Sequence, residues 1–345
     1  MSAKRIATKD TQEWTAAVLR NAGLTAEHAQ TTSSVLVRTE MRGFVTHGLT
    51  RLASYLEKIR TTEVNPIPQI QIHHAPGVCT IQADGALGQI AATLAIESGL
   101  QALENSASVI CRVQNCGHLG ALGHYALLAA EHGMLGLVFQ RTPPLMALPG
   151  YAGAAIGNNP IAFACPIPDR PPLVFDMACS VAARGHVLLA AREGRALPEG
   201  WALDIGGHPT CDSDAALEGS LLPMAGHKGL GLAMMAECLA GALAGGEPES
   251  RQKFQTAPRS GAAGSQTTLI WLVNPTHSGA DNFAAYMQEW AHGFLHRGGP
   301  EARLPGERAA QREKQARLEG LVITPSLANE LEAIGQQAQQ AVPWS

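Results

Sequence analysis

The sequence predicts an α/β (α+β) protein built in two parts, and three observations carry that prediction. Apolar residues recur at helical spacing through the N-terminal stretch that ends at Asn65-Pro66-Ile67-Pro68. From Val78 onward, apolar runs of strand length alternate with stretches of helical pattern. With 345 residues the chain is long enough for more than one core.

The N-terminal helices follow from their caps. Asp10-Thr11-Gln12-Glu13 reads as a capping box, Gly23 ends that helix, and Thr25 caps a second running toward Glu40. Arg42-Gly43 then turns the chain. Thr46 is placed to cap a third helix, in which Leu49, Leu52, Leu56 and Ile59 form one apolar face. On that helix His47 and Arg51 would stand four residues apart, one above the other, away from the leucines. An imidazole titrates near neutral pH and a guanidinium grips a carboxylate with two parallel hydrogen bonds, so the pair suits a small 2-oxo acid or a relative of one.

Beyond the proline-rich connector, Val78–Ala83 reads as a strand, Gly88–Asn105 as a helix and Ala107–Val113 as a strand. Asn115-Cys116-Gly117-His118-Leu119-Gly120-Ala121-Leu122-Gly123 then turns into a helix to about His132, and a strand follows at Leu135–Gln140. A strand, glycine turn, helix and strand in succession invite a Rossmann reading. The spacing argues against it: the glycines run G-x-x-G-x-x-G, and the second strand ends in Gln140-Arg141 where an acidic residue would meet a ribose. His118 lies in this turn, either facing a ligand or bonding the helix that follows. Further strands are expected at Ile161–Cys165, after Gly157-Asn158-Asn159-Pro160, and at Leu173-Val174-Phe175, ending in Asp176-Met177-Ala178-Cys179-Ser180. Those polar residues either face a crevice at the strand end or cap the helix through Val187–Ala191.

Gly226-His227-Lys228-Gly229-Leu230-Gly231 opens a helix rich in small residues. It is not a P-loop, yet glycines and a lysine at a helix start can seat a phosphate; close helix packing is the other reading. Glu247–Ser265 reads as an exposed loop, Thr267–Val273 as a strand and Asp281–His296 as a helix. Glu307–Leu318 reads as a helix with a solvated charged face, and a last helix begins near Thr324-Pro325.

A net charge of -4 with no basic patch excludes a general nucleic-acid binder. The run Gly229–Gly246 is broken by Glu237 and suits a buried helix better than a membrane span. Met1–Trp14 carries Lys4, Arg5, Lys9 and Asp10 without an apolar core, so no secretory signal is read and a cytoplasmic location is expected. Seven cysteines without a C-x-x-C pair fit reduced, buried thiols, and no metal-binding His/Cys spacing occurs among thirteen histidines. His73-His74 read as surface residues. Cys116 beside His118 raises the alternative of a cysteine hydrolase, though no orienting acid stands nearby.

Taken together, several segments resemble the malate/L-lactate dehydrogenase family of NAD(P)-dependent oxidoreductases, which includes ureidoglycolate, sulfolactate, diketogulonate and cyclic-imine-2-carboxylate enzymes. The segments are Arg42-Gly43 with Thr46-His47-Gly48-x-x-Arg51, Asn115–Gly123, Gly157–Pro160, Asp176-Met177-Ala178, Pro198-Glu199-Gly200-Trp201, Gly226–Leu232 and Leu304-Pro305-Gly306. Each is short; their order and spacing span nearly the whole chain. The resemblance implies a non-Rossmann fold, in which a mixed, largely antiparallel sheet (73–299) binds NAD or NADP beside a helical substrate-side domain formed by both chain ends (1–72 completed by 300–345). It implies a small carboxylate substrate and a homodimer. His47 matches the proton donor of some members and His118 the acid/base of others. Arg51 matches the substrate-carboxylate arginine, with Thr46 in place of a neighbouring serine. Asp176, Met177, Ala178, Lys228, Gly306, Glu307 and Arg308 match cofactor contacts, and Thr142 falls near another. Asn158, His186 and Cys179 depart from the family pattern, and bear on cofactor and substrate choice. The implied reaction is reversible hydride transfer between a nicotinamide and C2 of a 2-oxo acid such as the keto form of malate or lactate, or of a cyclic imine. The alternative from another class is a nucleotide-binding protein without turnover.

Overall fold

The computed structural model describes residues 4–151, 153–247 and 266–344. The loop expected over Glu247–Ser265 lies, from residue 248 on, outside the described residues. In chain order the first elements are β1 (Lys4–Ile6), α1 (Thr8–Asn21), α2 (Ala26–Met41) and α3 (Leu52–Arg60). Then come β2 (Gln71–Ala75), β3 (Val78–Gln82), α4 (Gly88–Ala102), β4 (Ser108–Cys116), α5 (Gly123–Glu131) and β5 (Leu135–Gln140). Next are β6 (Pro144–Met146), β7 (Ile156–Gly157), β8 (Ile161–Cys165), β9 (Leu173–Met177) and α6 (Arg184–Arg192). After them run β10 (Ala202–Leu203), β11 (Pro209–Thr210), α7 (Ser213–Glu218), β12 (Ser220–Leu221) and α8 (His227–Ala236). The chain closes with β13 (Gln266–Val273), α9 (Phe283–Gly298), α10 (Glu307–Glu319), β14 (Leu321–Ile323) and α11 (Pro325–Gln337).

The main sheet has seven strands in the order β2-β3-β4-β13-β5-β8-β9. Only β3 and β4 pair in parallel; the other five pairings are antiparallel. This is the mixed, largely antiparallel sheet that the resemblance implied. β13 lies between β4 and β5, so the strand–turn–helix–strand unit is split and no Rossmann crossover forms. A smaller sheet, β11-β10-β12-β6-β7, stands apart. β2 is an edge strand and exposed throughout, which puts His73 and His74 on the surface.

Both chain ends build the helical layer. β1 pairs with β14, with Ile6 opposite Leu321. Between α2 and α10, the Glu313 carboxylate accepts from Arg38 Nε (2.9 Å), Arg42 Nη1 (2.8 Å) and Arg317 Nη2 (2.7 Å). Arg38 reaches on to Glu131 of α5 (3.0 Å), tying this layer to the sheet's own helices. The main apolar core lies between α1, α2, α4, α5 and the sheet, where Leu19, Leu36, Ile81, Ile96 and Leu119 are fully buried. A second cluster, with Phe139, Met146, Ile161 and Ala236, lies under the small sheet.

Four local expectations are corrected. α1 begins at Thr8 with Ala7 as its N-cap, so Asp10 is inside the first turn and caps nothing. The segment after Arg42-Gly43 is two 3-10 turns, Val45–His47 and Leu49–Arg51, broken at Gly48, and α3 starts only at Leu52. His47 and Arg51 therefore do not stack on one helix. α8 continues into a π-helical segment, Glu237–Leu243, and is buried on one side only: Met234 and Met235 are exposed. α10 is not a purely solvated helix, because Ala309, Glu313 and Ala316 are buried.

Burial pushes the Glu313 carboxyl up, but Arg38, Arg317 and Arg42 together hold it down to about 2. Its contribution to stability is fully present above the ordinary value of 4.5 and is lost as pH falls through about 2. Glu313→Gln leaves Arg38, Arg42 and Arg317 without their shared counter-charge. It should cost about 3–5 kcal/mol at neutral pH, the order seen when one partner of a buried pair is removed, read as a lower midpoint in urea. An unchanged midpoint would show that the cluster is not a structural clamp.

Candidate active site

The site begins with a buried acid. Glu40, in the last turn of α2, turns its Oε2 inward to accept the Leu49 N–H at 2.9 Å. Gly48 passes directly over it: a Cβ there would run into the Glu40 carboxylate and come within 3.1 Å of its Cα. Glycine is what lets the chain reverse between His47 and Arg51. Burial raises the Glu40 carboxyl to about 7, against the lowering effect of the Leu49 N–H.

This reversal sets the next contacts. Thr46 does not cap a helix; its Oγ1 meets His47 Nδ1 at 3.0 Å, and its carbonyl accepts from Arg51 Nε at 2.7 Å. Among the described residues, no hydrogen bond or ion pair is made by the two terminal nitrogens of Arg51.

From the sheet side, the turn after β4 brings His118 against this loop, with the two imidazole centroids 5.9 Å apart. Tyr55 of α3 places its hydroxyl 3.0 Å from His118 Nδ1, and Gln89 of α4 donates to the same hydroxyl at 2.8 Å. Among the described residues, His118 Nε2 makes no hydrogen bond. Burial first, then the charge of Arg51, hold both histidines low: His47 at about 4, with a contribution from His186, and His118 at about 3. Both rings are neutral at pH 7 in the free protein. The His186 ring stands against Trp201 (centroids 6.4 Å), and Gly185 lies beside Thr46.

A cavity of about 400 Å³ opens next to this cluster, between the helical layer and the edge of the main sheet. Of the residues read as cofactor contacts, Asp176, Gly306 and Arg308 line it, together with Phe44, Arg42 and His124. Asp176 does not cap α6; its Oδ2 accepts the Gly123 N–H at the start of α5 (2.7 Å). Burial raises its carboxyl to about 6, against the Gly123 and Leu122 amides. The Glu307 carboxylate is turned to Arg170 (2.8 Å) and the Leu304 N–H (3.0 Å). Thr142, at the end of β5, bonds Asn158 and Asn159. Met177 closes β9 and Ala178 follows it. Lys228 is exposed in the first turn of α8, while Gly229 packs closely on Cys179 O. None of Thr142, Met177, Ala178 and Lys228 lines the arginine-bearing cavity.

The cysteine alternative fails on geometry. Cys116 is buried, bonds Gln266 O at 3.4 Å and has its thiol pushed up to about 12 by burial, so it carries no thiolate for attack. Tyr55, Gln89, Glu40, Phe44 and Arg312 were not legible as site residues. They come from distant elements, and only a fold can assemble them.

A sequence profile described as malate/L-lactate dehydrogenase matches residues 6–332. The chain belongs to this family, and is by that membership an oxidoreductase. It is 34% identical over 321 residues to a Δ1-pyrroline-2-carboxylate reductase of Ancylobacter novellus, covering 91% of this chain and 92% of that one. It is 32% identical over 332 residues to a (2R)-3-sulfolactate dehydrogenase (NADP(+)) of Chromohalobacter salexigens, covering 96% and 98%. Among solved structures, the sulfolactate dehydrogenase of Methanocaldococcus jannaschii superposes with a TM-score of 0.85 at 29% identity, over 98% of both chains.

Gly48→Ala should lower kcat/KM by about 100-fold, the scale of an ångström-sized misplacement of catalytic groups, while far-ultraviolet circular dichroism stays unchanged. Wild-type kinetics in this variant would show that the Glu40–Gly48 contact does not position the loop.

Proposed function

We propose that this protein interconverts a small 2-oxo acid and its 2-hydroxy acid with NAD(P)H, the substrate carboxylate being gripped by Arg51. The observation that supports this best is that a guanidinium with free terminal nitrogens acts on two neutral imidazoles whose rings stand 5.9 Å apart. When bound, a reduced nicotinamide supplies the hydride that reaches C2. Every other task falls to the chain. The side chains of Asp176, Arg308 and Phe44 around the adjoining cavity suit a nucleotide, and Lys228, Thr142, Met177 and Ala178 match further cofactor positions of the family pattern.

His118 exchanges the proton with the substrate oxygen through Nε2. Its ring is fixed from behind by Tyr55, which Gln89 holds in turn, and a phenolic hydroxyl can donate to or accept from Nδ1 in either tautomer. His47, backed only by its chain neighbour Thr46, is the second imidazole beside the substrate. Arg51 lowers the pKa of both rings, so a carboxylate bound to it removes part of that effect and raises their affinity for a proton as substrate arrives. The same arrangement serves a cyclic imine-2-carboxylate, with ring nitrogen in place of carbonyl oxygen. The 34% identity to a pyrroline-2-carboxylate reductase favours keeping that second reading. A homodimer is proposed from the exposed apolar residues Tyr286, Trp290 and Phe294, spaced along one side of α9.

Purified protein is to be assayed by nicotinamide absorbance against a panel of 2-oxo acids and cyclic imine-2-carboxylates. Turnover with one class names the substrate type; none on either would sink the proposal. Arg51→Lys should raise KM more than it lowers kcat, because an ammonium cannot make the bidentate grip, and His118→Asn should lower kcat by about 100-fold or more. In the oxidation direction the neutral His118 ring is the competent form, so kcat/KM should be level through neutral pH and fall only as pH drops toward about 3. In the reduction direction the protonated ring is needed, so kcat/KM should fall about tenfold per unit of rising pH. Identical profiles in both directions would contradict an imidazole acid/base. Light scattering at a monomer mass would remove the dimer.

A further inference from the structure

We propose that the cavity between α10 and the sheet edge is a seat for the 2′-phosphate of the adenosine ribose, so that this chain prefers NADPH to NADH. This rests on the nucleotide reading above and deepens it.

The argument starts from charge. Four guanidiniums, those of Arg42, Arg303, Arg308 and Arg312, line the cavity of about 400 Å³. Arg42 is neutralised by Glu313, but Arg303, Arg308 and Arg312 have no acidic partner among the described residues. Two carboxylates lie close, and both are already engaged. Asp176 accepts the Gly123 amide, and Glu307 is bound to Arg170 and the Leu304 amide and does not line the cavity. Asp176 is the one carboxylate among the lining residues, its Oδ2 is turned to the Gly123 amide, and four arginines outnumber it on the wall.

Two further features point to a phosphate rather than to general basicity. Gly306, at φ +96°, starts α10 with no side-chain cap, which turns the positive end of that helix toward the cavity. His124 forms part of the same wall; it is buried, and its Nδ1 finds no hydrogen-bond partner. Phe44, exposed on the rim, offers a ring on which an adenine can stack. A dinucleotide with only its bridging pyrophosphate needs one cationic seat. Lys228, at the start of α8 and away from this wall, supplies a separate one, so the arginine cavity answers to a second phosphate group.

The test is binding to the full-length protein by isothermal titration calorimetry, with NADPH, NADH, adenosine 2′,5′-bisphosphate and 5′-AMP as probes. The 2′-phosphorylated member of each pair should bind about tenfold tighter or better, the scale of one charge-assisted phosphate contact. Arg303→Ala and Arg312→Ala should each erase most of that preference while leaving NADH and AMP within about twofold of wild type, and Arg312→Lys should restore part of it. Thermal melting confirms that each variant is folded. Equal affinity for the two members of each pair, or a parallel loss for both in the alanine variants, overturns the inference. A 2′-phosphate preference without turnover on any acid would sink hydride transfer and leave this seat standing; turnover with NADH and NADPH alike would do the reverse.

Discussion

The Glu313 carboxylate, shared among Arg38, Arg42 and Arg317, is the contact on which the site's assembly depends. It joins a helix from the beginning of the chain to one from the end, at sequence separations of 275 and 271 for its two long-range partners. A buried ion cluster of this kind is weak evidence for net stability, since its desolvation offsets much of its Coulomb gain. Its value here is register. It fixes where α2 ends, hence where Glu40, Arg42 and Phe44 stand, and it presses the arginine-bearing face of α10 against the sheet edge.

From that fixed end of α2 the rest follows by short steps. Glu40 captures the Leu49 amide, Gly48 admits the reversal, and the reversal brings Arg51 back onto the Thr46 carbonyl. The loop is thus held by backbone groups rather than by an apolar stripe. That explains why a helix with His47 and Arg51 on one face was the wrong picture although the leucine spacing was real: Leu49 and Leu52 are buried, but they belong to a 3-10 turn and an α-helix that meet there.

Periodicity alone placed β5 and β8 at their observed ends, because each is a continuous apolar run enclosed by neighbours on both sides. Thr25 was legible as a cap and Thr324-Pro325 as a helix start, and both threonines accept the amide three residues on. β1 and β14 were not foreseen. Three residues carry no period, and each strand exists only because the other is there. The histidines and Arg51 could be singled out by residue type and motif. Tyr55, Gln89 and Arg312 could not, since a tyrosine inside a helical pattern or an arginine in a charged helix is the ordinary reading until tertiary contacts turn it toward a cavity.

The misleading glycine turn after β4 carries a physical lesson about where phosphates can go. In a Rossmann unit the helix that follows such a turn offers its free amides to a pyrophosphate. Here the amides of Leu122 and Gly123 are already taken by the Asp176 carboxylate from β9, which answers the positive end of α5 from within the protein. A second anion at that helix end would face a buried acid rather than open donors. The uncapped helix that remains beside the cavity is α10, starting at Gly306 and flanked by Arg303 and Arg308. Inserting β13 between β4 and β5 therefore changes more than strand order. With the sheet's own helix terminus satisfied by Asp176, the open helix start belongs to a helix from the far end of the chain, and the Glu313 clamp is what keeps that helix in place.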